Sequence, residues 1–212
     1  MTKHVIITIG RQFGSGGHEI GEKLAERLGI PFYDRDLVKM AAEKLQISDE
    51  KAEEVDEMDM ERFLAYYASS SIYYASAYMD ENLLRPISQQ VYEAQRAIIK
   101  KLASRGSCVI VGRCADEILK EEPGLINIFI TADKDDRIRR ISEKYNLSDK
   151  KAADRIKKVD RERRYYYEKH TGKVWGDISS HHMLLNVSML GMDKTIDTLA
   201  AVYEARKAEL EK

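Results

Sequence analysis

The segment Ile6-Ile7-Thr8-Ile9-Gly10-Arg11-Gln12-Phe13-Gly14-Ser15-Gly16-Gly17-His18-Glu19-Ile20-Gly21 constrains this chain more than any other. Its apolar, β-branched start reads as a buried strand. Ile20, Leu24, Ala25 and Leu28 then recur at helical spacing until Gly29 stops the pattern. Between strand and helix the glycines crowd together at Gly10, Gly14, Gly16 and Gly17. Glycine costs conformational entropy on folding, and a plain strand-to-helix connection has no need of so many. The order strand, glycine turn, helix surrounds an anion with backbone N–H groups and the positive end of a helix. The segment therefore reads as a phosphate cradle. The usual loop of this kind runs Gly, any four residues, Gly, Lys, then Ser or Thr. With its second glycine on Gly16, Gly17 takes the lysine position, His18 takes the hydroxyl position, and Arg11 falls on the first glycine. The backbone pattern is kept and the usual charge is missing.

Further apolar runs at residues 31–33, 107–111, 125–131 and 183–187 join residues 5–9 as strands. Helical patterns lie between them, at 36–45, from Ser48 or Asp49, at 61–80, and from Pro86 to residue 102. Asp133 is placed to cap a helix, with Asp136 in capping-box position. Ser148 and Asp149 open another, which runs through the arginines to Tyr165-Tyr166-Tyr167, and 193–210 is the last. Strands alternating with helices predict an α/β fold, a three-layer sandwich around a parallel five-stranded sheet.

Thirty-five Lys and Arg against 36 Asp and Glu leave a net charge of −1. So balanced a chain has no global field for nucleic acid or a membrane surface. Its two cysteines, Cys108 and Cys114, predict no disulfide framework. The first residues lack a signal peptide's apolar core and no run reaches membrane-spanning length, so a cytoplasmic location is expected. The basic residues gather locally, from Arg137 through Arg139, Arg140, Arg155, Arg161 and Arg163 to Arg164.

Several stretches, in order along the chain, resemble one family. They are Gly-Arg-Gln-Phe-Gly-Ser-Gly-Gly, Ile-Pro-Phe-Tyr-Asp-Arg-Asp-Leu, Cys-Val-Ile-Val-Gly-Arg-Cys-Ala-Asp, Tyr-Tyr-Glu-Lys-His-Thr-Gly-Lys-Val-Trp-Gly-Asp and Leu-Leu-Asn-Val-Ser-Met-Leu-Gly. Together they resemble the cytidylate kinase-like family, a divergent branch of the nucleoside monophosphate kinases. The resemblance implies a P-loop NTPase core of the nucleoside monophosphate kinase type, with a lid and an acceptor-binding insert. It implies phosphoryl transfer from ATP to a nucleoside monophosphate, CMP or dCMP, with Mg²⁺. It also implies one kinase domain over residues 1–212, with a helical acceptor-side insert at about 48–100 and a lid at about 145–178.

On that footing Gly14, Ser15, Gly16, Gly17 and His18 are expected to hold the donor phosphates. Arg11 is the first candidate to supply the missing charge, because it lies in the loop itself; Arg113 and the lid arginines come next. Arg161 and Arg163, with Arg137 behind them, are expected to clamp phosphates, since guanidinium is permanently charged and bidentate. The bland alternative is a solvated helix with pairs such as Asp160–Arg164. Asp34 and Asp36 follow a short strand, where ligands of parallel sheets sit. Either one holds Mg²⁺ through water or orients the acceptor, unless Asp34 or Arg35 merely caps the next helix. Gly112-Arg113 resembles the turn whose arginine contacts the acceptor phosphate or base, with a structural salt bridge as the alternative. Phe63, Tyr67, Tyr74 and Tyr78 share a helical face that suits interior packing, a homodimer contact or a nucleobase platform. His181-His182 is set aside as a metal site, because neighbouring side chains on a strand point opposite ways. Two rival readings remain: a kinase for another small metabolite, and a nucleotide-binding sensor or scaffold without catalysis.

Overall fold

The computed structural model describes residues 4–34 and 87–212. The chain divides into two units, Met1–Asp34 with Lys100–Lys212, and Arg35–Ile99. The expected helices at 36–45 and 61–80, the tyrosine face and Asp36 lie outside the described residues.

Strands β1 (Ile6–Arg11), β2 (Phe32–Tyr33), β3 (Cys108–Val111), β4 (Leu125–Thr131) and β5 (Met183–Asn186) form one sheet in the order β2-β3-β1-β4-β5. Every pairing is parallel. Helix α1 (Gly17–Leu28) follows β1, and α2 (Ile87–Ala103) precedes β3. Short α3 (Ala115–Ile118) follows β3. Then come α4 (Lys134–Tyr145), α5 (Asp149–Thr171), short α6 (Val187–Leu190) and α7 (Met192–Leu210). Ile7, Ile9, Val109, Val111, Ile126, Ile128 and Ile130 pack with Ile20, Leu24 and Ala25 of α1 and Ile196, Leu199 and Tyr203 of α7. Central parallel strands are covered on both faces, so their sequences read as unbroken apolar runs. The link from β3 to β4 carries the chain past β1. Such a switch point opens a crevice beyond the C-terminal ends of the strands.

Element ends differ from the sequence expectation for tertiary reasons. β1 runs on through Gly10 and Arg11, because β4 is long enough to pair them with Phe129 and Ile130. Ser107 stays outside β3, its hydroxyl accepting from the Val5 N–H at 3.0 Å. Val187 begins α6, and the Asn186 side chain accepts from the Ser188 N–H at 2.9 Å. The expected capping box at Asp133 does not form. Its carboxylate instead accepts from the Asn186 amide at 2.8 Å, tying β4 to the β5 end. Among the described residues no helix is long and apolar enough to cross a membrane.

Candidate functional site

The glycine turn leaves β1 and enters α1 with Gly14 and Gly16 both at φ +82°. Ser15 is buried and holds the turn together: its hydroxyl donates to the Gln12 carbonyl at 2.8 Å and accepts from the Gly17 N–H at 3.4 Å. The first α1-type bond runs from the Ile20 N–H to the Gly16 carbonyl at 2.9 Å. Among the described residues, the backbone N–H groups of Gly14, Gly16 and His18 make no hydrogen bond. Unpaired N–H groups at a helix start are what an anion site requires.

Phe13 fastens this turn to the α4–α5 pair. Its N–H donates to Asp160 Oδ1 at 2.7 Å, and its carbonyl accepts from Arg137 Nε at 2.8 Å. Arg137 Nη2 and Asp160 Oδ2 pair directly. Arg137 is only 7 % exposed, so the arginine expected at a phosphate lies inside this clamp. Arg163 Nη1 donates to the Arg11 carbonyl at 3.2 Å, and its guanidinium lies 5.4 Å from the Phe13 ring centre. Arg155 stacks 3.7 Å above the Tyr145 ring. Asp160 therefore pairs with Arg137 and not with Arg164, which lies near Trp175. Arg161 is exposed and makes no ion pair or hydrogen bond among the described residues.

A second cluster closes the other shoulder of the turn. Asp34, 4 % exposed, receives His18 Nδ1 at 2.6 Å and the Arg11 guanidinium at 3.5 Å. Burial would raise its pKa. The Arg11 charge, the His18 hydrogen bond and charge, and the Arg113 charge outweigh burial and hold it at about 2. Asp34 is therefore anionic at neutral pH. Gly112, Arg113 and Cys114 follow β3 in three successive left-handed conformations, φ +74°, +59° and +54°. For Arg113 and Cys114 that geometry costs about 1–2 kcal/mol each, a cost typical of functional turns. Arg113 makes no ion pair or hydrogen bond among the described residues. Both thiols are buried, and burial pushes the Cys108 pKa up to about 12 and that of Cys114 higher still, so neither is a nucleophile.

Beside the turn lies a cavity of about 710 Å³ whose lining includes Gly14, Ser15, Arg140, Lys144, Ser188 and Met192. Its size suits a small ligand. Arg140 pairs with Glu19 at 3.0 Å, and its guanidinium carbon would lie 3.3 Å from a Cβ on Gly16. Sequence reasoning left Arg140 and Asp160 out of the site. Arg140 was visible only as one of a basic run, and Asp160 as a helical ion-pair partner.

His181 and His182 both bind Asn127, through its side-chain oxygen at 3.0 Å and its backbone N–H at 3.1 Å. Among the described residues no group of three His, Cys, Asp or Glu could hold a metal ion. Magnesium in phosphate sites needs only one or two carboxylates, with phosphate oxygens and water completing its shell. Asp34 is an anionic carboxylate of this kind beside the turn, with Oδ1 facing Arg11 and Oδ2 bonded to His18.

The sequence profile of the cytidylate kinase-like family matches residues 6–189. No curated protein matches the chain. Among solved structures, an uncharacterized protein from Eubacterium ventriosum ATCC 27560 superposes with a TM-score of 0.70 at 29% identity, over 94% of this chain and 98% of that one. Shikimate kinase from Bacteroides thetaiotaomicron gives 0.52 at 16% identity, over 94% and 98%. Shikimate kinase from Acinetobacter baumannii in complex with shikimate gives 0.50 at 14%, over 96% and 94%.

Proposed function

The chain belongs to the cytidylate kinase-like family, and on that footing we propose that it transfers the terminal phosphoryl group of ATP to a nucleoside monophosphate, CMP or dCMP. The observation that carries this reading is the glycine turn with its unpaired N–H groups at Gly14, Gly16 and His18, next to a cavity of about 710 Å³. The donor polyphosphate lies across Gly14, Ser15, Gly16, Gly17 and His18, and the donor nucleoside fills the cavity beside Arg140. Arg113 holds the acceptor phosphate; Arg161 and Arg163 act on the charge of the transferring group. The reaction's loose transition state spreads negative charge over the phosphoryl oxygens, so positioning and cations dominate. Mg²⁺, held through Asp34 and water, would neutralise phosphate charge when bound. Closure of residues 145–178 keeps water from the donor. Partners on this reading are small nucleotides in the cytoplasm, with the tyrosine-rich segment at 61–80 as a homodimer contact.

One observation favours a second reading, a kinase for a hydroxyl-bearing metabolite. His18 Nδ1 is held by Asp34 at 2.6 Å, and Nε2 faces away from that bond. A carboxylate-oriented imidazole is the usual form of a general base. A hydroxyl acceptor needs one, whereas an acceptor phosphate is already anionic.

The test is a panel of nucleoside monophosphates and hydroxylated acids incubated with γ-labelled ATP. Label on CMP or dCMP, kept in His18→Gln, supports the first reading. Label on a hydroxyl acceptor, lost in His18→Gln, replaces it with the second. ATP raising the melting temperature while no acceptor is labelled leaves the sensor reading.

A further inference from the structure

Gly17 stands at the lysine position of this loop, and the structure contains a steric reason for it. A Cβ on Gly17 would lie 2.7 Å from Arg11 Cβ, 3.2 Å from Arg11 Cγ and 3.3 Å from Ile130 Cβ. The collision is with the rooted end of Arg11, on a strand held between β3 and β4, and not with a flexible tip. Further along the same side chain, a Cβ on Gly112 would lie 2.2 Å from Arg11 Nη1. Two glycines thus shape a slot that an arginine fills.

The guanidinium in that slot is poorly partnered. The Arg11 side chain is 14 % exposed, its bond to Asp34 is long at 3.5 Å, and its buried Nε has no hydrogen-bond partner among the described residues. Asp34 gives its short bond, 2.6 Å, to His18 instead. A purely structural counter-ion looks different: Arg137 and Asp160 pair closely, and Arg137 also donates to Phe13. Guanidinium carries five N–H donors, and a buried cation with unused donors is costly unless an anion completes it.

We infer that Arg11 and Gly17 are an exchanged pair: the cation that other phosphate loops carry on the first helical residue is carried here by the last residue of β1, where it binds the terminal phosphates of ATP. This rests on the ATP-binding reading above and adds to it which residue supplies the charge and why lysine is excluded. Arg11 emerges where the turn begins, and Arg163 holds its carbonyl, so its root is fixed relative to the loop.

The experiment is calorimetric titration of the full chain with MgATP and with AMP, comparing wild type, Arg11→Gly, Gly17→Lys and the double variant Arg11→Gly/Gly17→Lys. Arg11→Gly is expected to weaken ATP about tenfold or more, the scale of one lost charged hydrogen bond. Gly17→Lys alone is expected to lower the melting temperature and weaken ATP. The double variant is expected to bind ATP more tightly than either single one, a non-additive cycle. ATP affinity unchanged in Arg11→Gly, or a double variant no better than the worse single one while circular dichroism shows it folded, overturns the inference.

Arg11→Met keeps the bulk in the slot and decides the matter if a lysine variant does not fold. Its loss is expected for ATP and not for AMP; equal losses, or none, overturn the exchange. The two readings fail separately. A wild type whose ATP affinity depends on Arg11 but which labels no acceptor loses the transfer reading and keeps the exchange. Full kcat/KM in Arg11→Met keeps the transfer reading and removes the exchange. A wild type that does not bind ATP removes both.

Discussion

Arg137 and Arg11 flank the same glycine turn, both largely buried and each beside an aspartate, yet their donors are used differently. Arg137 Nε meets the Phe13 carbonyl at 2.8 Å and its Nη2 meets Asp160, which in turn receives the Phe13 N–H at 2.7 Å. That shoulder is a closed circuit in which each named donor finds an acceptor. On the other shoulder the Arg11 side chain makes one bond, of 3.5 Å, among the described residues, its buried Nε has no partner there, and the neighbouring turn runs through left-handed Arg113 and Cys114. A closed circuit rigidifies, while an open one stores unmet bonding capacity for a ligand. The first shoulder preorganises the backbone N–H groups; the second presents charge. On the phosphate-binding reading proposed above, such preorganised dipoles need no rearrangement when the anion arrives.

The largest stability effect is expected where the circuit is closed. Asp160→Ala leaves buried Arg137 without its counter-charge and frees the Phe13 N–H, at a cost of about 3 kcal/mol in urea unfolding. A loss no larger than that of Asp34→Asn would erase the distinction between the shoulders. The next effect is pH-dependent. The folded pKa of Asp34, about 2, lies below its ordinary 3.8. Its contribution, about 2 kcal/mol, is therefore fully present above the ordinary value and lost as pH falls through the folded one. Melting temperatures recorded from pH 5 down to about 2 should fall further in wild type than in Asp34→Asn, which keeps only the losses from other carboxylates held low, such as Glu117 and Asp197. A smaller effect has the opposite sign. Arg113→Gly relieves a left-handed side chain and should stabilise the fold by about 1 kcal/mol while raising the acceptor KM. If it destabilises the fold, the turn is structural and the open shoulder loses a member. The smallest stability change belongs to exposed Arg161. Arg161→Ala should stay within about 0.5 kcal/mol of wild type by unfolding while lowering kcat; unchanged turnover would remove it from the site.

Much of the scaffold was legible in the chain's own pattern. Ile6 to Ile9, the glycine turn and the Ile20–Leu24–Leu28 stripe are local signals, and they gave strand, loop and helix in the right order. The five strands were also readable, within a residue or two at their ends. The ends were less so, because Arg11 joins β1 only through β4, whose Ile130 lies far away in sequence. Arg137 shows the same limit in the site. Its place in a basic run points outward to phosphate, yet its burial and its bonds to Phe13 and Asp160 depend on how α4 and α5 meet the loop. The pairing of His18 with Asp34 was likewise invisible, since the two residues meet only once β2 lies beside β3 and α1 packs over them.

What sequence alone determined was the backbone plan: which stretches extend, where the chain must turn on glycine, and that a helix starts directly after that turn. These follow from steric limits and apolar periodicity, which act over neighbouring residues. What only the tertiary structure decided was the assignment of charges, with Arg137 and Asp160 turned inward as a clamp and Arg11 lodged in the slot left by Gly17 and Gly112. Charge strength and pairing depend on burial and on partners brought from distant parts of the chain, and neither is encoded in local spacing.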